Sequence, residues 1–265
     1  MRHLSNFLQI SIPFLVFVCP AFAGDNPITR AGKEEILSVL ISDSTVRAYA
    51  RIEIPDERNA TVYEDYLSLH LFEGQELLFN GVRSEVTVDL PYEEHDTVVY
   101  QWEVMIPNGF QHDAPENRWW NVVQWHDQPD VRLGETWADL PGSSPVMSLH
   151  LKFYDGKYYF APRYMHVEPP MEDLIEVQPG EWIKLRFEIR WSLGDDGYLK
   201  ILVDDDQQPH IHYTGPNMHN GYQHYLKIGM YRHPDIATDN TINLRNLFIC
   251  NEGSQYRSVR DHRIR

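Results

Sequence analysis

From residue 97 onward, apolar and polar side chains alternate with a period close to two. Tyr100, Trp102, Val104 and Ile106 alternate with Gln101, Glu103 and Met105 until Pro107-Asn108-Gly109 ends the run. Met147, Leu149, Leu151 and Phe153 alternate with Ser148, His150, Lys152 and Tyr154. Asp155-Gly156 then turns the chain into 157–160, which predicts a hairpin. The odd residues from Ile183 to Trp191 repeat the pattern, and Gly194-Asp195-Asp196-Gly197 turns into a strand over 198–203. Two more strands fit 225–231 and 242–249. Many short strands separated by turns predict an all-β fold of antiparallel sheets, a sandwich or jelly roll. Helix is expected only near 33–41, with Glu34 and Glu35 in its first turn. The stretches 127–146 and 164–180 lack a period and predict long surface loops of the kind that line binding sites.

Three of the strand segments carry chemistry on one side. In Arg83-Ser84-Glu85-Val86, Ser84, Val86 and Val88 share one face, and Arg83, Glu85 and Thr87 the other. In Gln124-Trp125-His126, Val123 and Trp125 oppose Gln124 and His126. In 225–231, Leu226, Ile228 and Met230 oppose Tyr225, Lys227, Gly229 and Tyr231. If these strands neighbour one another, one sheet face gathers Arg83, Gln124, His126, Lys227 and Tyr231. The same alternation also describes an ordinary solvated sheet face. Gly229 inside a strand is a place where a ligand can approach closely.

Such a face suits a uronate sugar. Its carbon-6 carboxylate lies next to a weakly acidic carbon-5 hydrogen. Removing that proton requires the carboxylate to be neutralised, which Arg, Gln and His donors can do. A base takes the proton and an acid protonates the oxygen leaving carbon 4, roles that suit Tyr and His.

Composition narrows the setting. The chain has 265 residues with a formal net charge of −16, which argues against nucleic acid or an anionic membrane as a partner. Residues 1–23 read as a secretory leader: Arg2, an apolar run over 10–18, and Ala21-Phe22-Ala23 as a cleavage site. The expectation is a secreted protein, extracellular or periplasmic, with residues 24–265 forming one domain and acting as a monomer. Of two cysteines only Cys250 lies outside the leader, so the mature domain folds without an internal disulfide.

Together the three segments resemble the jelly-roll polysaccharide lyases. The alginate lyases of that type carry Arg-x-Glu-Leu, Gln-x-His and Lys-x-Gly-x-Tyr in this order. Here they stand as Arg83-Ser84-Glu85-Val86, Gln124-Trp125-His126 and Lys227-Ile228-Gly229-Met230-Tyr231. The Gln-Trp-His form and the segment ending Tyr231-Arg232 are more similar to the heparin lyase and glucuronan lyase group. The resemblance covers roughly residues 80–250. It implies a concave sheet that binds an anionic uronate polysaccharide and cleaves it by β-elimination, leaving unsaturated uronate ends. Tyr231 is implied as the catalytic acid and also a base, His126 as base or neutraliser, and Gln124 and Arg83 as neutralisers. Lys227, Tyr225, Arg232, His150, Lys152 and Glu85 are the expected substrate contacts. No cofactor is required, and a structural calcium ion is compatible with this chemistry. Thr87 and Arg232 stand where alginate-type lyases usually carry a second Arg and an Asn or Gln. The acidic chain also suits a carboxylate-only polymer such as glucuronan better than a densely sulfated one. The alternatives are an alginate lyase of the same fold, a non-catalytic carbohydrate-binding module, and a glycoside hydrolase, which needs two flanking carboxylates.

Other clusters read more plainly. His210-Ile211-His212 lacks a following acidic ligand, and Asp204-Asp205-Asp206 resembles a calcium loop only in charge. Trp119, Trp120 and Trp137 are candidates for stacking on sugars, whereas alternation sends Trp125 to the core.

Overall fold

The computed structural model describes residues 30–140 and 145–251. The leader read in 1–23 lies outside the described residues. The chain opens with helix α1 (Arg30–Leu40) and one further turn, α2 (Ser44–Arg47). Ile36, Leu37, Leu40 and Ile41 form a buried stripe at helical spacing, and α1 lays it on the strands that follow. The helix begins earlier than its sequence signals indicate, so Glu34 and Glu35 sit in its second turn.

Fourteen strands follow among the described residues. They are β1 (Ala50–Glu53), β2 (Ala60–Val62), β3 (Leu67–Leu71), β4 (Val82–Val88), β5 (Thr97–Met105), β6 (Trp120–His126) and β7 (Met147–Tyr154). The rest are β8 (Lys157–Tyr164), β9 (Ile175–Val177), β10 (Ile183–Arg190), β11 (Tyr198–Val203), β12 (Ile211–Thr214), β13 (Tyr225–Arg232) and β14 (Asn240–Asn251). Every strand anticipated from the alternation is present. The 164–180 stretch departs from expectation, because β9 lies inside it and pairs with β8.

The strands build two seven-stranded sheets. The order in the first is β1-β4-β13-β6-β7-β8-β9, and in the second β12-β11-β10-β5-β14-β3-β2. All pairings are antiparallel, so the molecule is a β-sandwich of the jelly-roll kind. The apolar halves of both sheets meet in one core, centred on Trp102, Trp125, Phe187 and Trp191. Trp125 is fully buried there, against Tyr100 and Phe187. The side of the first sheet away from this core is therefore the one that collects its polar residues.

Candidate active site

Antiparallel register converts three sequence segments into one surface. Tyr231 of β13 pairs with Arg83 of β4 and Asn121 of β6, and Asn121 pairs with His150 of β7. Four residues back along β13, Lys227 pairs with Thr87 and Gln124, and Gln124 with Ser148. Tyr225 pairs with His126. Arg83, Gln124, His126, Lys227 and Tyr231 thus share the face turned from the core.

Between the two rows lies an irregularity. β6 slips register against both its neighbours between Asn121 and Val123, a β-bulge that turns Val122 into the core and Asn121 onto the polar face. It also brings Trp119 beside Tyr231, ring centroids 4.6 Å apart and edge to face. Asn121 was invisible to a strict period of two, which places it with Val123 and Trp125. Gly229 sits opposite Glu85 in the same region with φ of 144°. A Cβ there would strike the β4 backbone at Ser84 and Glu85 and the core side chain Leu69. Gly229 is thus required by the packing of β13 on β4, not by a ligand's approach.

The face is charged, yet buried. Glu85 is 1% and Glu53 5% exposed. Gln124 Nε2 donates to Glu85 Oε1 at 2.6 Å, and Arg83 Nη1 lies 3.2 Å from Glu85 Oε2. Lys227 Nζ donates to Glu53 Oε2 at 2.5 Å, and Thr87 Oγ1 and Arg51 Nε donate to Glu53 Oε1. Burial raises the Glu85 carboxyl above its ordinary value, against the pull of Lys227 and Arg83. Burial works on Glu53 too, but Lys227, Arg51 and Thr87 outweigh it and hold that carboxyl below its ordinary value. Glu53, contributed by the edge strand β1, was not anticipated. The carboxylates hold Gln124, Arg83 and Lys227 in place from below.

Tyr231 is half-buried and clamped. The Arg83 guanidinium lies 4.0 Å from its ring centroid, a cation–π contact. Gly81 lies against the ring edge, and a Cβ at that position would overlap it.

His126 is held by the residue that follows it. Its Nδ1 lies 2.9 Å from Asp127 O and 2.8 Å from Asp127 Oδ1, two acceptors, so Nδ1 carries the proton and Nε2 is left for a ligand. The buried Asp127 carboxylate also takes His219 Nδ1 at 3.0 Å. Asp127 is a second residue the segment patterns passed over, although it adjoins Gln124-Trp125-His126. Tyr225 stacks on the His126 ring, 5.7 Å between centroids, and burial raises its phenol well above the ordinary range.

The remaining expected contacts divide. His150 is on the polar face but buried, and burial with Arg163 and Lys152 nearby holds its imidazole down to about 3. It is therefore neutral, and its buried Nδ1 has no hydrogen-bond partner among the described residues. Lys152 Nζ donates to Asn117 O, and burial lowers its ammonium. Arg232 is a correction. It follows Tyr231 by one residue and so falls on the core face, where it is 1% exposed. Its guanidinium donates to Thr238 O and Asn240 Oδ1 and lies over the Trp120 ring, so it braces the strand ends and has no access to a ligand on the polar face.

Trp120 is buried against Phe110, and Trp137 is exposed. Asp204 and Asp205 tie their turn to Lys184, and His210 and His212 are exposed. Among the described residues, no group of three or more His, Cys, Asp or Glu side chains converges as a metal site requires. Nor, among them, is any helix long and apolar enough to cross a membrane.

Comparison with known proteins supplies the family. The model of a family described as polysaccharide lyase matches residues 44–249. No curated protein matches the chain by sequence. Among solved structures, an endo-β-1,4-glucuronan lyase from the fungus Trichoderma reesei superposes with a TM-score of 0.51 at 12% identity, covering 76% of this chain and 86% of that one. A marine alginate lyase from Zobellia galactanivorans gives 0.52 at 10% identity, over 75% and 82% of the two chains. An alginate lyase from Pseudomonas aeruginosa gives 0.50 at 13%, over 77% and 99%. At these identities the likeness is one of fold.

Proposed function

The chain belongs to the polysaccharide lyase family, and from that premise we propose that it is a secreted enzyme cleaving an unsulfated uronan of the glucuronan type by β-elimination. One observation carries the reading. Tyr231, Arg83 and Gln124 lie together on one sheet face, with Arg83 and Gln124 fixed from below by Glu85, while His126 stands on the same face beside Tyr225, six residues along β13 from Tyr231.

The chemistry follows from that arrangement. Gln124 and Arg83 neutralise the substrate carboxylate, so the electrons released at carbon 5 delocalise into it as an enediolate. In glucuronate the carbon-5 hydrogen and the carbon-4 oxygen lie on the same side. Tyr231, acting as its phenolate, then takes the proton and returns it to the leaving oxygen, which regenerates the phenolate beside the Arg83 guanidinium. In a guluronate or iduronate unit the two bonds lie on opposite sides, and the base is then a residue across the ring from Tyr231.

Charge supports a polymer without sulfates. Lys227 and Arg83 are already paired with Glu53 and Glu85, so the face offers little surplus cation for a sulfate-dense chain. The T. reesei neighbour, by its description a glucuronan lyase, points the same way. Secretion rests on the leader read in residues 1–23.

The test is ultraviolet absorbance with glucuronan, alginate, heparin, heparan sulfate and chondroitin in separate cuvettes. The expected result is a rise from the conjugated double bond with glucuronan that Tyr231→Phe abolishes while the fold is retained. Chains shortened without any rise would mean hydrolysis and overturn the reading. A rise with alginate alone would keep the elimination and replace the polymer.

A further inference from the structure

Arg83 and Lys227 share a neighbour that takes no part in the network beneath them. Just before β4 the chain makes a two-residue hairpin, in which Leu78 N–H donates to Gly81 O and Gly81 N–H to Leu78 O, both at 3.0 Å. The central residues are Phe79 and Asn80, with φ of 49° and 59°. A tight hairpin demands this left-handed backbone, which Gly and Asn adopt readily and a bulky aromatic residue does not. Phe79 is therefore strained, and burial does not offset the strain, because 59% of the residue is exposed. Leu77 beside it is exposed as well. The Phe79 ring instead stands 6.0 Å from the Arg83 guanidinium carbon and 5.9 Å from Lys227 Nζ, two cations of the polar face. Gly81, the last residue of the same hairpin, abuts the Tyr231 ring. Strain held at the rim of a reactive face, on an exposed aromatic ring, is a mark of function rather than of packing.

We propose that Phe79 is a sugar-stacking platform, a binding subsite for a pyranose ring of the polymer next to the bond being cleaved. The ligand class rests on the uronan reading above. The C–H face of a pyranose is apolar and its hydrogens are slightly positive, which suits the negative face of an aromatic ring. A uronate unit lying on Phe79 directs its own carboxylate toward Arg83 and Lys227. The hairpin thereby adds affinity and register at a place where the charged floor, already paired with carboxylates, supplies little.

The strain gives the test two readouts that move in opposite senses. Phe79→Asn and Phe79→Gly remove the ring and relax the turn. The melting temperature is expected to rise by about 2 °C, while KM for glucuronan rises about five- to tenfold and kcat stays within twofold. Phe79→Tyr is expected to keep the wild-type KM. Retardation by glucuronan in affinity electrophoresis, measured on Tyr231→Phe with and without Phe79→Asn, reports binding apart from turnover and is expected to weaken in the double variant. A wild-type KM and unchanged retardation without the ring would overturn the platform. So would a fall in melting temperature in both relaxing variants, which would make Phe79 a packing residue. Neither outcome touches the elimination, whose own test is the loss of turnover in Tyr231→Phe.

Discussion

The two sheets have the same alternation and opposite fates on their outer faces. On β10 of the second sheet, Lys184, Arg186, Glu188 and Arg190 alternate with buried Leu185, Phe187 and Ile189. Three of these four charges form ion pairs at the partly exposed surface, Glu188 with Lys200, Arg190 with Asp196 and Lys184 with Asp205. On the first sheet, Arg83, Glu85, Gln124 and Lys227 occupy equivalent positions, and every one of them is buried. Exposed pairs add little stability, whereas buried charge is costly unless fully partnered. A protein that buries polar groups on a face away from its core holds them for something other than folding. The contrast in burial, more than the residue types, marks the first sheet as the reactive one.

The sharpest way to break this comparison is to remove one carboxylate from each sheet. Glu53→Ala leaves Lys227 without its 2.5 Å partner inside the protein and is expected to cost about 3–4 kcal/mol by urea unfolding. Glu188→Ala on the second sheet is expected to cost under about 1 kcal/mol. Equal costs would erase the distinction. A steric probe comes next. Gly81→Ala pushes on the Tyr231 ring and is expected to lower kcat about a hundredfold, since a displacement near 1 Å suffices for that. Gly221→Ala, where an added Cβ meets nothing, is expected to leave kcat unchanged.

Acid provides a smaller probe. Folded His150 is held neutral down to about 3, whereas the unfolded chain takes up the proton near 6.5. Its folded value is depressed, so the unfolded state binds more protons in acid. The stability it contributes is present above 6.5 and is lost as pH falls toward 3. At pH 5 the loss is about 2 kcal/mol. Urea midpoints at pH 7 and pH 5 are expected to separate less in His150→Gln than in the wild type.

Strand parity was legible wherever the strands run regularly. It placed Arg83, Gln124, His126, Lys227 and Tyr231 on one face, because β4 and β13 are unbroken and β6 slips only before Val123. Asn121 was hidden by that slip, which a single sequence does not announce. Glu53 was hidden by strand order, since nothing local says that β1 lies beside β4. Arg232 was misassigned by its nearness to Tyr231, although parity already assigned it to the core. Phe79 was hidden by a shift of one residue, because Asn80-Gly81 is the ordinary signal for the centre of such a turn, and here the centre is Phe79-Asn80. Asp127 needed distances, because a carboxylate after a histidine is common and one bonded to its Nδ1 is not.

The central claim is elimination by Tyr231, and product mass in water enriched in heavy oxygen tests it most directly. Wild-type protein acting on glucuronan is expected to give oligosaccharides one water lighter than hydrolysis products, with no heavy oxygen incorporated, and Tyr231→Phe is expected to form them at least a thousandfold more slowly, about the upper range for loss of a general acid and base. Heavy oxygen at the new chain ends, or wild-type rates in Tyr231→Phe, would contradict it.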